Sequence, residues 1–184
     1  MHQPDSLTHH FLVAIPTLAD FNFAKSVVYI YSHTKEGALG MIINKPSQIN
    51  LGNLFEHLGI TTTKEKLTDL PVFMGGPIRQ DNGFILYGRE PASPTEEMGV
   101  TVSASKELLQ KIATTENPRH FLIILGHSGW GPNQLEQEIA RNDWLAVPFN
   151  AQILFNVPIE KRWEQAAALM GIDINQLSGQ IGHA

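Results

Sequence analysis

Gly126-His-Ser-Gly-Trp-Gly-Pro-Asn-Gln-Leu-Glu-Gln-Glu138 follows an apolar run, Phe121-Leu-Ile-Ile-Leu125, and leads into a stretch with helical spacing. The unbroken apolarity of 121–125 predicts a central strand, buried on both faces. Pro132 suits the first turn of a helix, with Leu135 and Ile139 facing inward. Between them, three glycines and a tryptophan fall within six residues. Glycine costs backbone entropy, so this spacing predicts a specially shaped loop at a strand-to-helix junction.

Working outward, β-branched and aromatic residues predict strands at Phe11–Ile15, Ser26–Ser32 and Ala38–Asn44, the last two joined by a turn over His33–Gly37. Gly40 marks a bulge or a close backbone approach, and Lys45-Pro46 ends that strand. Leu51, Leu54, Phe55 and Leu58 repeat at helical spacing and Gly59 closes the helix. Val72–Met74 runs into Gly75-Gly76-Pro77, a strong turn signal. Further strands are expected at Gly83–Tyr87 and Val100–Val102, with a solvated loop over 88–98 between them. Ser103 or Ser105 caps a helix running to Ala113. Trp144–Val147 is extended, and Ile153-Leu-Phe155 is expected to pair with it. Trp163, Ala166, Ala167 and Met170 predict the last clear helix. Strands cluster first and helices are scattered among hairpins, which favours an α+β fold over a regular βαβ sheet.

The chain has 184 residues, enough for one domain spanning 1–184, with residues 1–8 and 174–184 expected to be loose. It contains no cysteine, so disulfides and thiolate metal sites are excluded and a reducing cytoplasm fits. The first residues lack a basic region, and no apolar run approaches the length of a membrane span. The net charge of −5 disfavours direct nucleic-acid binding, which needs a basic surface.

Several chemical readings compete around the glycine-rich segment. A nucleophile elbow needs G-x-S-x-G, but here position 130 is tryptophan and the glycine arrives at 131. The better reading has Gly129 and Gly131 accepting unusual backbone angles while Trp130 plugs a gap or lines a groove. The N–H groups that 132–135 offer, Pro132 having none, could receive an anion, although Glu136 and Glu138 already complement the helix dipole. Arg79 stands beside the double-glycine turn. The eight histidines show no metal-ligand spacing, so no metal and no cofactor is expected.

Taken in order, Phe11–Pro16 with Asp20 and Asn22, His33, Glu36-Gly37-Ala38, Gly40, Asn44-Lys-Pro46, Gly75-Gly76-Pro77, Gly129-Trp130, Gln134-Leu-Glu136, Glu138, Trp144-Leu145 and Arg162-Trp163 resemble the YqgE/AlgH family of small bacterial proteins. The resemblance covers about residues 8 to 171. His127-Ser128 depart from the aromatic-plus-small pair frequent there. The resemblance implies an α+β fold with a bifurcated mixed sheet, part of it closing into a small barrel, surrounded by helices. It implies a cytoplasmic bacterial protein linked by name to transcriptional regulation, without an assigned activity.

The expected function is non-enzymatic: a regulatory or adaptor protein holding a protein partner or small ligand in a groove. Its walls are the 126–134 loop, the 75–79 turn and the 33–44 hairpin, with His33, Asn44, Gly75, Gly76, Arg79, Gly129, Trp130, Gln134 and Glu138 as candidate contacts. The alternative is a hydrolase-like or other enzyme with an acid–base pair between His33 and Glu136 or Glu138.

Overall fold

The computed structural model describes residues 6–91, 93 and 96–177. Its strands are β1 (His10–Ala14), β2 (Val27–Thr34), β3 (Gly37–Ile42), β4 (Pro46–Asn50), β5 (Pro71–Met74), β6 (Ile78–Arg89), β7 (Gly99–Ser103), β8 (Phe121–Trp130) and β9 (Trp144–Pro148). Its helices are α1 (Leu51–Leu58), α2 (Glu65–Thr68), α3 (Lys106–Thr114), α4 (Gln134–Ala140), α5 (Ala151–Phe155), α6 (Arg162–Ala168) and α7 (Ile174–Leu177), with a 3-10 turn over Ile159–Lys161.

The glycine-rich segment corrects the first expectation. Gly126–Trp130 is the second half of β8, not a loop. Hydrogen bonding runs β4-β5-β8-β3-β2-β1-β9, with β6 joined to β8 and β7 to β6, so the sheet branches at β8. Residues 123–125 pair with β5 in parallel and 121–125 with β6 antiparallel, whereas 128–130 pair with β3. A strand that changes partners midway must bend. Gly126 supplies the bend at φ 71°, where a Cβ would stand 2.8 Å from the Gly76 carbonyl oxygen. The path has two ends, β4 and β9, and no ring of pairings closes among the described residues. The expected small barrel is therefore absent from this mixed α+β sheet.

Other local readings change for tertiary reasons. Pro46 opens β4 instead of ending a strand, which its edge position tolerates because no ladder donor is needed there. Ile153–Phe155 is helical, with the Asn150 side chain accepting from the Ile153 N–H. Gly40 does mark a close approach, beside an irregularity in β2 at Ile30/Ser32. Ser105, not Ser103, caps α3.

Three cores result. One lies beneath α5 and α6 and includes Phe11, Met41, Phe73, Ile124 and Trp163. A second gathers Leu7, Leu12, Ile30, Trp130, Leu135 and Trp144. The third packs α1 and α3 on Val72, Ile85 and Ile123. Residues 6–8 are anchored: Leu7 is buried and its N–H donates to His33 Nδ1. Ile174, at the start of α7, is also buried. The remaining residues expected to be loose, 1–5 and 178–184, lie outside the described residues, as do 92, 94 and 95 of the expected 88–98 loop.

Candidate functional site

The end of β2, β8 and α4 bring His33, Trp130, Gln134, Glu136 and Glu138 together. His33 Nδ1 accepts the Leu7 N–H at 2.9 Å, so the ring proton sits on Nε2 and is donated to Glu136 Oε1 at 2.7 Å. The sequence-based pairing of His33 with Glu136 therefore exists. The histidine side chain is buried and both of its nitrogens are engaged, while Glu136 remains about half exposed.

Glu138 does something else. Its Oε2 accepts both the Trp130 and the Trp144 indole N–H, each at 2.8 Å, and its Oε1 accepts from Gln134 Nε2 at 2.9 Å. The Gln134 Oε1 in turn accepts the Gly131 N–H, which engages the turn before α4. The two indoles meet edge to face at 6.0 Å. Trp130 is 6% exposed and belongs to the second core. It fills the interior; its neighbours on β8 reach the surface.

The double-glycine turn lies against the same strand. Gly75 and Gly76 cross 126–128 so closely that a Cβ on Gly76 would sit 2.3 Å from the His127 carbonyl oxygen. The Ser128 hydroxyl donates to the Gly75 carbonyl and is fully buried, so it is not presented as a nucleophile. Asn44 is used locally: its Oδ1 accepts from the Val27 N–H and its Nδ2 donates to the Lys25 carbonyl.

What these segments leave at the surface is a small apolar patch. Bare Gly129 is flanked by Ile78 Cδ1 and Leu39 Cδ2, which would lie 3.1 and 3.6 Å from a Cβ there. Leu39 and Ile78 are exposed, and Arg79 follows at φ 49°. His127 stands opposite Ile78, edge-on to Phe84, with a buried Nδ1 that has no hydrogen-bond partner. Burial, and secondly the Arg79 charge, push the His127 pKa down from the usual histidine range. Leu39 and Ile78 were not among the sequence candidates. Nothing in a strand's alternation distinguishes an exposed leucine beside a glycine from one that packs.

Among the described residues no cluster of three potential metal ligands occurs, and no helix is long and apolar enough to cross a membrane.

The profile of the AlgH-like family (DUF179) matches residues 11–175. The chain belongs to the AlgH-like family. A UPF0301 protein of Coxiella burnetii is 53% identical over the full length of both chains. A UPF0301 protein of Nitrosococcus oceani is 44% identical over 96% of each. The solution structure of the AlgH protein from Pseudomonas aeruginosa superposes with a TM-score of 0.75 at 38% identity, covering 100% of this chain and 99% of that one. A Corynebacterium diphtheriae protein with 18% identity reaches the same TM-score over 97% of this chain and 94% of its own, which shows a shared fold. Membership in the AlgH-like family, as the sequence motifs implied, brings no assigned activity with it.

Proposed function

We propose that this chain is a non-enzymatic regulatory or adaptor protein of the bacterial cytoplasm, which binds a partner protein or small ligand where the 33–44, 75–79 and 126–134 segments meet. The observation that carries the reading is the Leu39–Gly129–Ile78 patch with Arg79 beside it. Apolar side chains around bare backbone, edged by a cation, suit an apolar contact flanked by an acidic group. His33, Trp130, Gln134 and Glu138 stiffen the segments behind that surface, and the crossing of Gly75 and Gly76 over β8 fixes its outline.

The enzymatic alternative draws on the 2.7 Å contact between His33 and Glu136. It is less favoured because acid–base catalysis needs a lone pair or proton directed at a substrate. Here one ring nitrogen faces a backbone N–H and the other a carboxylate.

The test is to titrate isotope-labelled protein with fractions of cell extract. Amide shifts at residues 38–40, 78–79 and 127–131, abolished in the Leu39→Glu/Ile78→Glu double variant, are the expected result. Shifts confined to another face of the molecule would reject this surface.

A further inference from the structure

A second site shares no lining residue with the patch. A cleft of about 710 Å³ opens between the segment 155–159 on one side and β5 with residues 118–123 on the other. Its size falls within the range of small-molecule sites. Most of its lining residues are apolar, Phe73, Phe155, Val157 and Ile159 among them, and none is Asp or Glu. The ionisable side chains that line it are all basic: Arg119, His120 and Arg162. His120 is already held by Glu90 at 2.9 Å. Arg119 is exposed.

Arg162 is the unusual member. It is 4% exposed, yet no carboxylate among the described residues lies within ion-pair distance. Its Nε donates to the Val157 carbonyl at 3.0 Å, one Nη donates to the Ile43 carbonyl, and the guanidinium stands 5.4 Å from the centre of the Phe73 ring. A guanidinium carries five N–H donors. Two therefore have a protein acceptor, and among the described residues Nη2 has none. Burial pulls the Arg162 pKa down to about 10, against the opposing pull of Glu160, so the group remains charged at neutral pH. A buried cation with no carboxylate in contact is costly and is ordinarily compensated by an anion.

We propose that this cleft binds a carboxylate carried on an apolar body, with the carboxylate on the free edge of Arg162 and the body against Phe73, Phe155, Val157 and Ile159. The planar guanidinium fork matches a carboxylate, and the apolar walls would exclude water from the pair. The neighbouring Arg119 supplies a second positive charge at the exposed rim and would draw the anion in.

The experiment titrates the full chain, followed by amide shifts, with decanoate and with decanamide, which has the same body and no charge. A parallel pair is a short acetylated peptide ending in Leu-Phe, as the free acid and as the C-terminal amide. The expected result is shifts at Phe73, residues 119–123 and 155–159. At least one acid should bind about tenfold or more tightly than its amide, the difference expected of a charged hydrogen bond. Which acid binds tells a free carboxylic acid from a chain terminus. In Arg162→Met the preference for acid over amide should fall to within a factor of about two. Should that variant fail to fold, the acid–amide comparison on the unmodified chain still decides. Equal binding of acid and amide, no shift at these residues, or an unchanged preference in a folded Arg162→Met would overturn the proposal.

Discussion

Single side chains in this protein are occupied with one another. Glu138 is the strongest example, since one carboxylate oxygen serves two indoles that belong to the same core. Glu138→Ala should cost about 2–4 kcal/mol in urea unfolding, because both indole N–H groups lose their acceptor in a partly buried place. Glu138→Gln keeps an acceptor for the indoles and should cost less; equal losses would mean that the clamp does not depend on the acceptor oxygen. His127 makes the complementary case for pH. Its folded-state pKa lies below the ordinary 6.5, from burial first and from Arg79 second. The folded protein therefore binds its proton less readily than the unfolded chain does. Its contribution to stability is fully present above pH 6.5 and is lost as pH falls below that value towards the folded-state pKa. His9 is shifted in the same direction, mainly by burial, so His127→Gln should make the acid-side slope of stability shallower without abolishing it. A slope unchanged in thermal melts between pH 5 and 7 would refute the assignment to His127.

Elements owe their limits here to how they cross. In β8 the stretch 121–125 is apolar and extended, as its composition dictates, and the glycines after it carry the strand over the β5–β6 turn into a new partner. A paired substitution separates that role from simple flexibility. Gly126→Ala combines a positive φ with backbone oxygens at 2.8 and 2.9 Å, and should cost about 2–3 kcal/mol. Gly131→Ala meets only the Gln134 side-chain oxygen at 3.8 Å and should change stability by less than about 0.5 kcal/mol. Similar melting temperatures for the two variants would mean that the crossing is not under steric constraint. The helix α1 is legible from its apolar spacing and the closing Gly59, and α3 from its serine cap. By contrast α5 has five residues, too few for a period, and its apolar centre reads equally well as a strand.

At the scale of the whole molecule, β8 touches every core: Leu122 and Ile124 face the first, Trp130 the second and Ile123 the third. The three should therefore unfold together. Urea transitions followed through Trp163 alone, in Trp130→Phe/Trp144→Phe, and through the indole pair, in Trp163→Phe, should each coincide with the far-UV transition of the same variant. Separated midpoints within either variant would show that the branch uncouples the cores. Residues His33 and Glu136 could be paired on chemical type before any fold was known. That Trp130 would be sealed inside, and Leu39 and Ile78 left outside, could not. By itself the amino-acid order determined the principal apolar strands, the capped helices, the α+β class and the family, because propensity, periodicity and turn chemistry act over a few neighbouring residues. Only the tertiary structure decided that β8 branches without closing a barrel, that Gly75 and Gly76 cross it, and that Arg162 is buried with no carboxylate of the described residues in contact. Each of those depends on which distant segments share a strand edge or a core, and short-range chemistry does not specify that.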